Sequence, residues 1–151
     1  MMRKISLLLL SIVGLTLTIN AQPSNNSDTQ KIVDQFFKTY KEKGHEEAVT
    51  TLLETNKWIP EKSAENVSTK LTELLDQIGQ FYGYDKIKES TYGPNVIQYT
   101  YLVRYDRQPL RFLFRFYRPN DTWQTQGFEY QVEFLDELDE TVKADKLKAN
   151  N

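Results

Sequence analysis

The stretch Val96–Phe134 decides the fold. It reads VIQYTYLVRY (96–105), DRQP (106–109), LRFLFRFY (110–117), RPNDTW (118–123) and QTQGFEYQVEF (124–134). Apolar and polar residues alternate almost without a break. A period of two places side chains on opposite faces of a β-strand. Asp106-Arg107-Gln108-Pro109 and Pro119-Asn120-Asp121 carry turn chemistry. The reading is therefore three antiparallel strands, 96–105, 110–117 and 124–134, joined as hairpins.

Register follows from the same pattern. A four-residue loop pairs Tyr105 with Leu110, then Val103 with Phe112, Tyr101 with Phe114 and Tyr99 with Phe116. The opposite face sets Arg104 against Arg111, Leu102 against Leu113 and Thr100 against Arg115. A slip by one residue would put arginine against phenylalanine on both faces. Between the last two strands, Phe114 opposite Phe128 brings Phe112 beside Tyr130 and Leu110 beside Val132. Gly127 then falls opposite Arg115, which marks a bulge or bend. The expected inner face is Ile97, Tyr99, Tyr101, Val103, Phe112, Phe114, Phe116, Phe128, Tyr130 and Val132. The expected outer face carries the arginines, with Glu129 and Glu133.

Upstream, the period changes from two to that of a helix. Asp28 suits an N-cap, and Ile32, Val33, Phe36, Phe37 and Tyr40 form one apolar stripe. Gly44 closes this helix. A short second helix spans His45 to Glu54, with Ala48, Val49, Leu52 and Leu53 as its stripe. Asn56 closes it, and Trp58 is expected to plug one end of the core. A third helix is capped by Ser63 and carries Val67, Leu71, Leu74, Leu75, Ile78 and Phe81, with Gly83 at its end. Tyr84–Thr91 is charged and weakly patterned. It reads as an edge strand whose Lys86 and Lys88 discourage pairing with other chains. The turn Tyr92-Gly93-Pro94-Asn95 follows.

The ends differ in composition. Arg3 and Lys4 precede a mostly apolar run, Ile5–Ile19, and Asn20-Ala21 offers a small residue before Gln22. Residues 1–21 read as a secretory signal, too short in its apolar run to span a bilayer. Residues 22–27 read as a disordered leader, 28–135 as one domain, and 136–151 as a charged flexible tail with helical tendency at 140–147. Export to a bacterial periplasm or beyond the cell is expected, with no membrane association after cleavage. The chain has no cysteine, so its stability must come from its core.

Charge and residue types exclude several functions. Without Arg3 and Lys4, 17 basic residues face 21 acidic ones. Nucleic-acid binding needs a basic surface and is not expected. His45 is the single histidine, so zinc or copper sites are not expected, and no cofactor motif is present. No serine elbow or spaced triad occurs, and His45 is expected on the surface. Every arginine after residue 21 lies in the hairpins, at 104, 107, 111, 115 and 118. Arginine forks suit carboxylates and phosphates.

Three helices on one face of a curved four-stranded antiparallel sheet make an α+β cone. With that order and length, the run YLVRYDRQPLRFLFRFYRPNDTWQTQGFEY resembles the nuclear-transport-factor-two-like, cystatin-like superfamily, specifically its small exported bacterial members. The resemblance covers Asp28 to Phe134. It implies a cone-shaped fold, and it offers homodimerisation through the sheet. It also offers an isomerase- or cyclase-type enzyme, in which a carboxylate or histidine works beside tyrosines. Here Asp34 falls on the polar side of the first helix, so the general base is missing. No catalytic residue is therefore assigned. The expectation is a non-catalytic binding module, with two candidate surfaces. A small apolar or amphipathic ligand would meet Phe37, Tyr40, Tyr99, Tyr101, Phe114 and Tyr130 inside the cone. A protein partner would meet Arg104, Arg111, Arg115 and Glu129 outside it.

Overall fold

Three helices come first in the chain, α1 (Asn26–Lys43), α2 (His45–Leu53) and α3 (Glu61–Ile78). Four strands follow, β1 (Phe81–Thr91), β2 (Val96–Tyr105), β3 (Leu110–Tyr117) and β4 (Gln124–Gln131). The computed structural model describes residues 26–137 and Glu140, so the expected signal segment and most of the expected tail lie outside the described residues. The strands form one antiparallel sheet in the order β1-β2-β3-β4. The chain is α+β, with helices preceding an open sheet.

The aromatic face of the sheet is the core. Val33, Phe36 and Phe37 of α1 are buried against Ile97, Tyr99, Tyr101, Val103, Phe112, Phe114, Phe116 and Phe128. Phe36 meets Phe114 edge-on with ring centroids 5.0 Å apart and lies 5.2 Å from Phe128. Edge-on contacts of this kind are the favoured geometry of aromatic pairs. α2 adds Ala48, Val49, Leu52 and Leu53, and α3 adds Ala64, Leu71 and Ile78.

The sheet keeps the expected faces but not every expected pairing. In β2 and β3, Val103 pairs with Leu110, Tyr101 with Phe112, Tyr99 with Phe114 and Ile97 with Phe116. This is two residues from the four-residue-loop register, so each side chain stays on its face. Arg104 and Tyr105 pair with Gly83 and Phe81 on the β1 side of β2 and have no partner in β3, so the β2–β3 connection begins two residues earlier than expected on that edge. The next residues are then drawn to the end of α3. The Gln80 N–H donates to Asp106 Oδ2 at 2.6 Å, and the Arg107 N–H donates to the Ile78 carbonyl at 3.1 Å. Arg104 and Arg111 are consequently not opposed. Between β3 and β4 the expected register holds, with Phe114 opposite Phe128, Phe112 opposite Tyr130 and Gly127 opposite Arg115. A register shift follows Arg115, the bulge expected at Gly127. β4 ends at Gln131, so Leu110 and Val132 do not pair, and Val132 is exposed.

The remaining departures have local causes. α1 begins at Asn26, which puts Asp28 in the first turn. α3 begins after Pro60 instead of at Ser63, because a proline fixes the backbone and has no N–H to leave unpaired at a helix start. It ends at Gly79 and not at Gly83. Gly79 has φ 88° and ψ −153°, a backbone region essentially reserved for glycine. A Cβ there would stand 2.4 Å from Asp106 Oδ2. Phe81 therefore opens β1 instead of extending the helix stripe. Trp58 is 75% exposed and plugs nothing. Asn56 takes the buried position: its side chain donates to the Thr125 carbonyl at 2.8 Å and accepts from the Trp58 N–H at 3.0 Å. That leaves the indole outside, beside the Lys57 ammonium.

Candidate functional site

The expected ligand residues separate into two groups. Tyr99, Tyr101 and Phe114 are fully packed, at 0–2% exposure. The Tyr99 hydroxyl bonds to Thr29 Oγ1 at 2.8 Å, and Gln30 Nε2 donates to the Tyr101 hydroxyl at 2.9 Å. Both hydroxyls are partnered, as buried tyrosines require. Tyr130 packs half-buried against the core. Phe37 and Tyr40 are also buried, but their outer sides contribute to a groove.

That groove has a volume of about 550 Å³ and runs from α1 over the start of β1 to β2. Phe37, Tyr40 and Lys41 come from α1, Gln80 from the connection, Phe81, Tyr82, Gly83 and Tyr84 from β1, and Arg104 from β2. The Tyr84 ring stacks on Phe37, with centroids 3.6 Å apart and planes 8° from parallel. Phe81 packs against Tyr40 at 5.1 Å. The register shift between Phe81 and Gly83 lifts Tyr82 out of the regular alternation, and it is 59% exposed. Its hydroxyl donates to Asp106 Oδ1 at 2.5 Å. That bond raises the Tyr82 pKa and, with the Gln80 N–H, holds the Asp106 carboxyl below its ordinary range.

Beneath the groove, the Tyr40 and Tyr105 hydroxyls bond to each other at 2.6 Å. Burial pushes the Tyr40 pKa up to about 12. Burial, followed by the neighbouring Tyr40, drives Tyr105 higher still. Both are neutral hydrogen-bonding groups across the biological pH range.

Three smaller hollows compare poorly. The one between α1 and α2, at Ile32, Phe36 and Leu52, is about 220 Å³, below the usual range for small-molecule sites of roughly 300–1,000 Å³. A hollow of about 330 Å³ lies where α2 meets α3, around Leu53, Ile59 and Ala64, and carries no aromatic surface. The third, about 420 Å³, is built around Arg111, whose guanidinium already serves an ion pair.

The expected partner arginines occupy the outer side of the sheet, each in an internal ion pair. Arg104 Nε lies 3.2 Å from Asp85, Arg111 Nη1 lies 2.5 Å from Glu137, and Arg115 Nη1 lies 2.5 Å from Glu129. Arg111 is the most enclosed, with a side chain 16% exposed, a second bond to Gln131 and the Phe134 ring 5.2 Å away. Phe134 and Leu113 are both buried outside the main core cluster. Residues 132–137 thus make contact with the outer face. The Arg111 pairing raises its own pKa and lowers that of Glu137.

His45 is half-buried, not on the open surface. Its Nε2 lies 2.6 Å from Thr72 Oγ1, and the Thr72 hydroxyl donates to the Ser68 carbonyl. That leaves Nε2–H as donor. Asp34 is exposed and accepts from Gln30. Neither residue lines the groove. No group of three or more metal-ligating side chains occurs among the described residues, and no described helix is long and apolar enough to cross a membrane.

Sequence reasoning missed Lys41, Gln80, Phe81, Tyr82, Gly83 and Tyr84 as groove residues. The available signal was FYGY (81–84), three aromatics interrupted by a glycine. It was masked because Phe81 also fits the helical spacing of α3. No protein-family model matches the chain, and no curated protein matches it, which leaves the chemistry of the groove to indicate a function.

Proposed function

We propose that the chain is an exported, non-catalytic binding module whose ligand site is the groove between α1 and β1. The observation that carries this is the lining: Phe37, Tyr40, Phe81, Tyr82 and Tyr84 around a hollow of about 550 Å³, within the size range of small-molecule sites. The ligand is a small amphipathic molecule with a flat apolar part. Exposed tyrosines offer large contact area at low entropic cost, since each fixes only two side-chain torsions. Export is supported by Arg3 and Lys4 ahead of Ile5–Ile19. Helices followed by a four-stranded meander support the resemblance to the nuclear-transport-factor-two-like superfamily as a fold.

Two other readings have less support. An isomerase- or cyclase-type reaction needs a base beside the tyrosines. Asp106, the carboxylate bonded to Tyr82, is engaged by that hydroxyl and the Gln80 N–H and held below its ordinary range, which makes it a poor base. A partner on the outer arginines would have to compete with Glu137 at Arg111 and Glu129 at Arg115. The test is a two-dimensional amide NMR titration with 2-naphthamide, a flat apolar probe without charge. Shift changes are expected at Lys41, 80–84 and Arg104. Changes confined to any other part of the chain, or none at millimolar probe, would refute the groove as the site.

A further inference from the structure

Resting on that reading of the groove, we propose that its ligand is a small aromatic carboxylate, with Arg104 holding the carboxylate. The lining includes two cations, Lys41 and Arg104, and no aspartate or glutamate. This is a local reversal in a chain whose net charge is −2. Complementary charge selects the sign of the ligand.

Arg104 is placed for the task. Its Nε lies 3.2 Å from Asp85 Oδ2, which holds the guanidinium by one corner. The side chain is still 54% exposed. A guanidinium presents paired N–H donors in a plane that matches the two oxygens of a carboxylate. With Nε engaged, Nη1 and Nη2 are the pair that faces a ligand. Gly83 makes this position accessible: a Cβ at residue 83 would stand 2.8 Å from Arg104 Nη2. A side chain at residue 83 would make the head group shift aside, and the φ of 146° there itself favours glycine. Tyr82 and Tyr84 flank Gly83 in the strand and provide faces for a ring. Lys41 adds a second positive charge from α1. Asp85, beside Arg104, and Asp106, bonded to Tyr82 and Gln80, stand outside the lining and offset the two cations, so no excess positive charge is left for a phosphate dianion. One guanidinium fork fits a monoanion.

The experiment compares 2-naphthoate, 2-naphthamide and 2-naphthyl phosphate by NMR titration at low salt, on the wild type and on R104Q and R104K. 2-Naphthoate is expected to bind about tenfold more tightly than 2-naphthamide, the scale of one charge-assisted fork contact. R104Q should bring the two within about twofold without weakening the amide. R104K keeps the charge but loses the fork, and should retain only about threefold preference. Higher ionic strength should narrow the gap. Equal affinity for naphthoate and naphthamide in the wild type would overturn the carboxylate assignment alone. Tighter binding of the phosphate would overturn it in favour of a dianion. Failure of all three probes at the groove would overturn the groove reading with it.

Discussion

Neighbouring strands β1 and β2 carry tyrosines to opposite ends. On β2, Tyr99, Tyr101 and Tyr105 are buried and their hydroxyls are partnered inside the protein. On β1, Tyr82 and Tyr84 are exposed at a groove. Residue type is the same, and the difference is position in the sheet. β2 has a strand on each side and α1 over its aromatic face. β1 is an edge, with α1 beside only part of it. A tyrosine in the middle of a sheet is a packing residue, whereas at the edge its ring is available to a ligand. The aromatic wealth of Val96–Phe134 therefore builds the platform, and the proposed ligand surface lies where the alternation is weakest.

The largest effect that could break this comparison is on stability. Phe114→Ala should cost about 3–5 kcal/mol, as large-to-small changes in a packed core do, measured by urea unfolding. Tyr82→Ala should leave the unfolding midpoint near that of the wild type. Similar losses from the two would erase the distinction between platform and edge. Next comes the junction that turns α3 into β1. Gly79→Ala should cost on the order of 1–3 kcal/mol, from its backbone region alone, and the approach to Asp106 adds to it. Thermal unfolding would measure it, and an unchanged Tm would mean that the turn relaxes freely.

Alkaline pH sharpens the comparison further. Burial pushes Tyr40 and Tyr101 up to about 12, whereas an unfolded tyrosine titrates near 10. Above about pH 10 the unfolded chain releases protons that the native chain keeps. Stability should then fall from about pH 10 to about pH 12. Y40F and Y101F should each make the fall shallower. Urea midpoints across that range provide the check, and a flat profile would show that these hydroxyls are not sealed. The smallest effect is at acid pH. Burial lowers the His45 pKa, outweighing the opposite pull of Glu46 and Asp76. The native chain binds that proton less readily than the unfolded one. Stability should decline slightly as pH falls below about 6.5, and H45Q should remove that part of the decline.

Much of the platform was legible in the sequence because period-two alternation constrains a strand buried on one face. The bounds of β2 and β3, the face of every aromatic in them, and the β3–β4 register with its bulge all follow from it. The β2–β3 offset was not legible. It depends on Asp106 reaching the end of α3, a contact between residues far apart in sequence that no local pattern encodes. Trp58 was misplaced for a similar reason, since Asn56 gains its burial from the Thr125 carbonyl. The groove was the least legible part. Its residues come from α1, β1 and β2, and Phe81 satisfies the helical period as well as it satisfies a strand.

The most direct test of the central claim labels the chain with 3-fluorotyrosine and follows the fluorine spectrum as 2-naphthoate is added. Tyrosine-to-phenylalanine variants would assign the nine resonances. The Tyr82 and Tyr84 signals should move with a common affinity while those of Tyr99 and Tyr101 stay in place. Movement of Tyr99 and Tyr101 with Tyr82 and Tyr84 silent would contradict the account, because it would place the ligand inside the aromatic platform instead of at its edge.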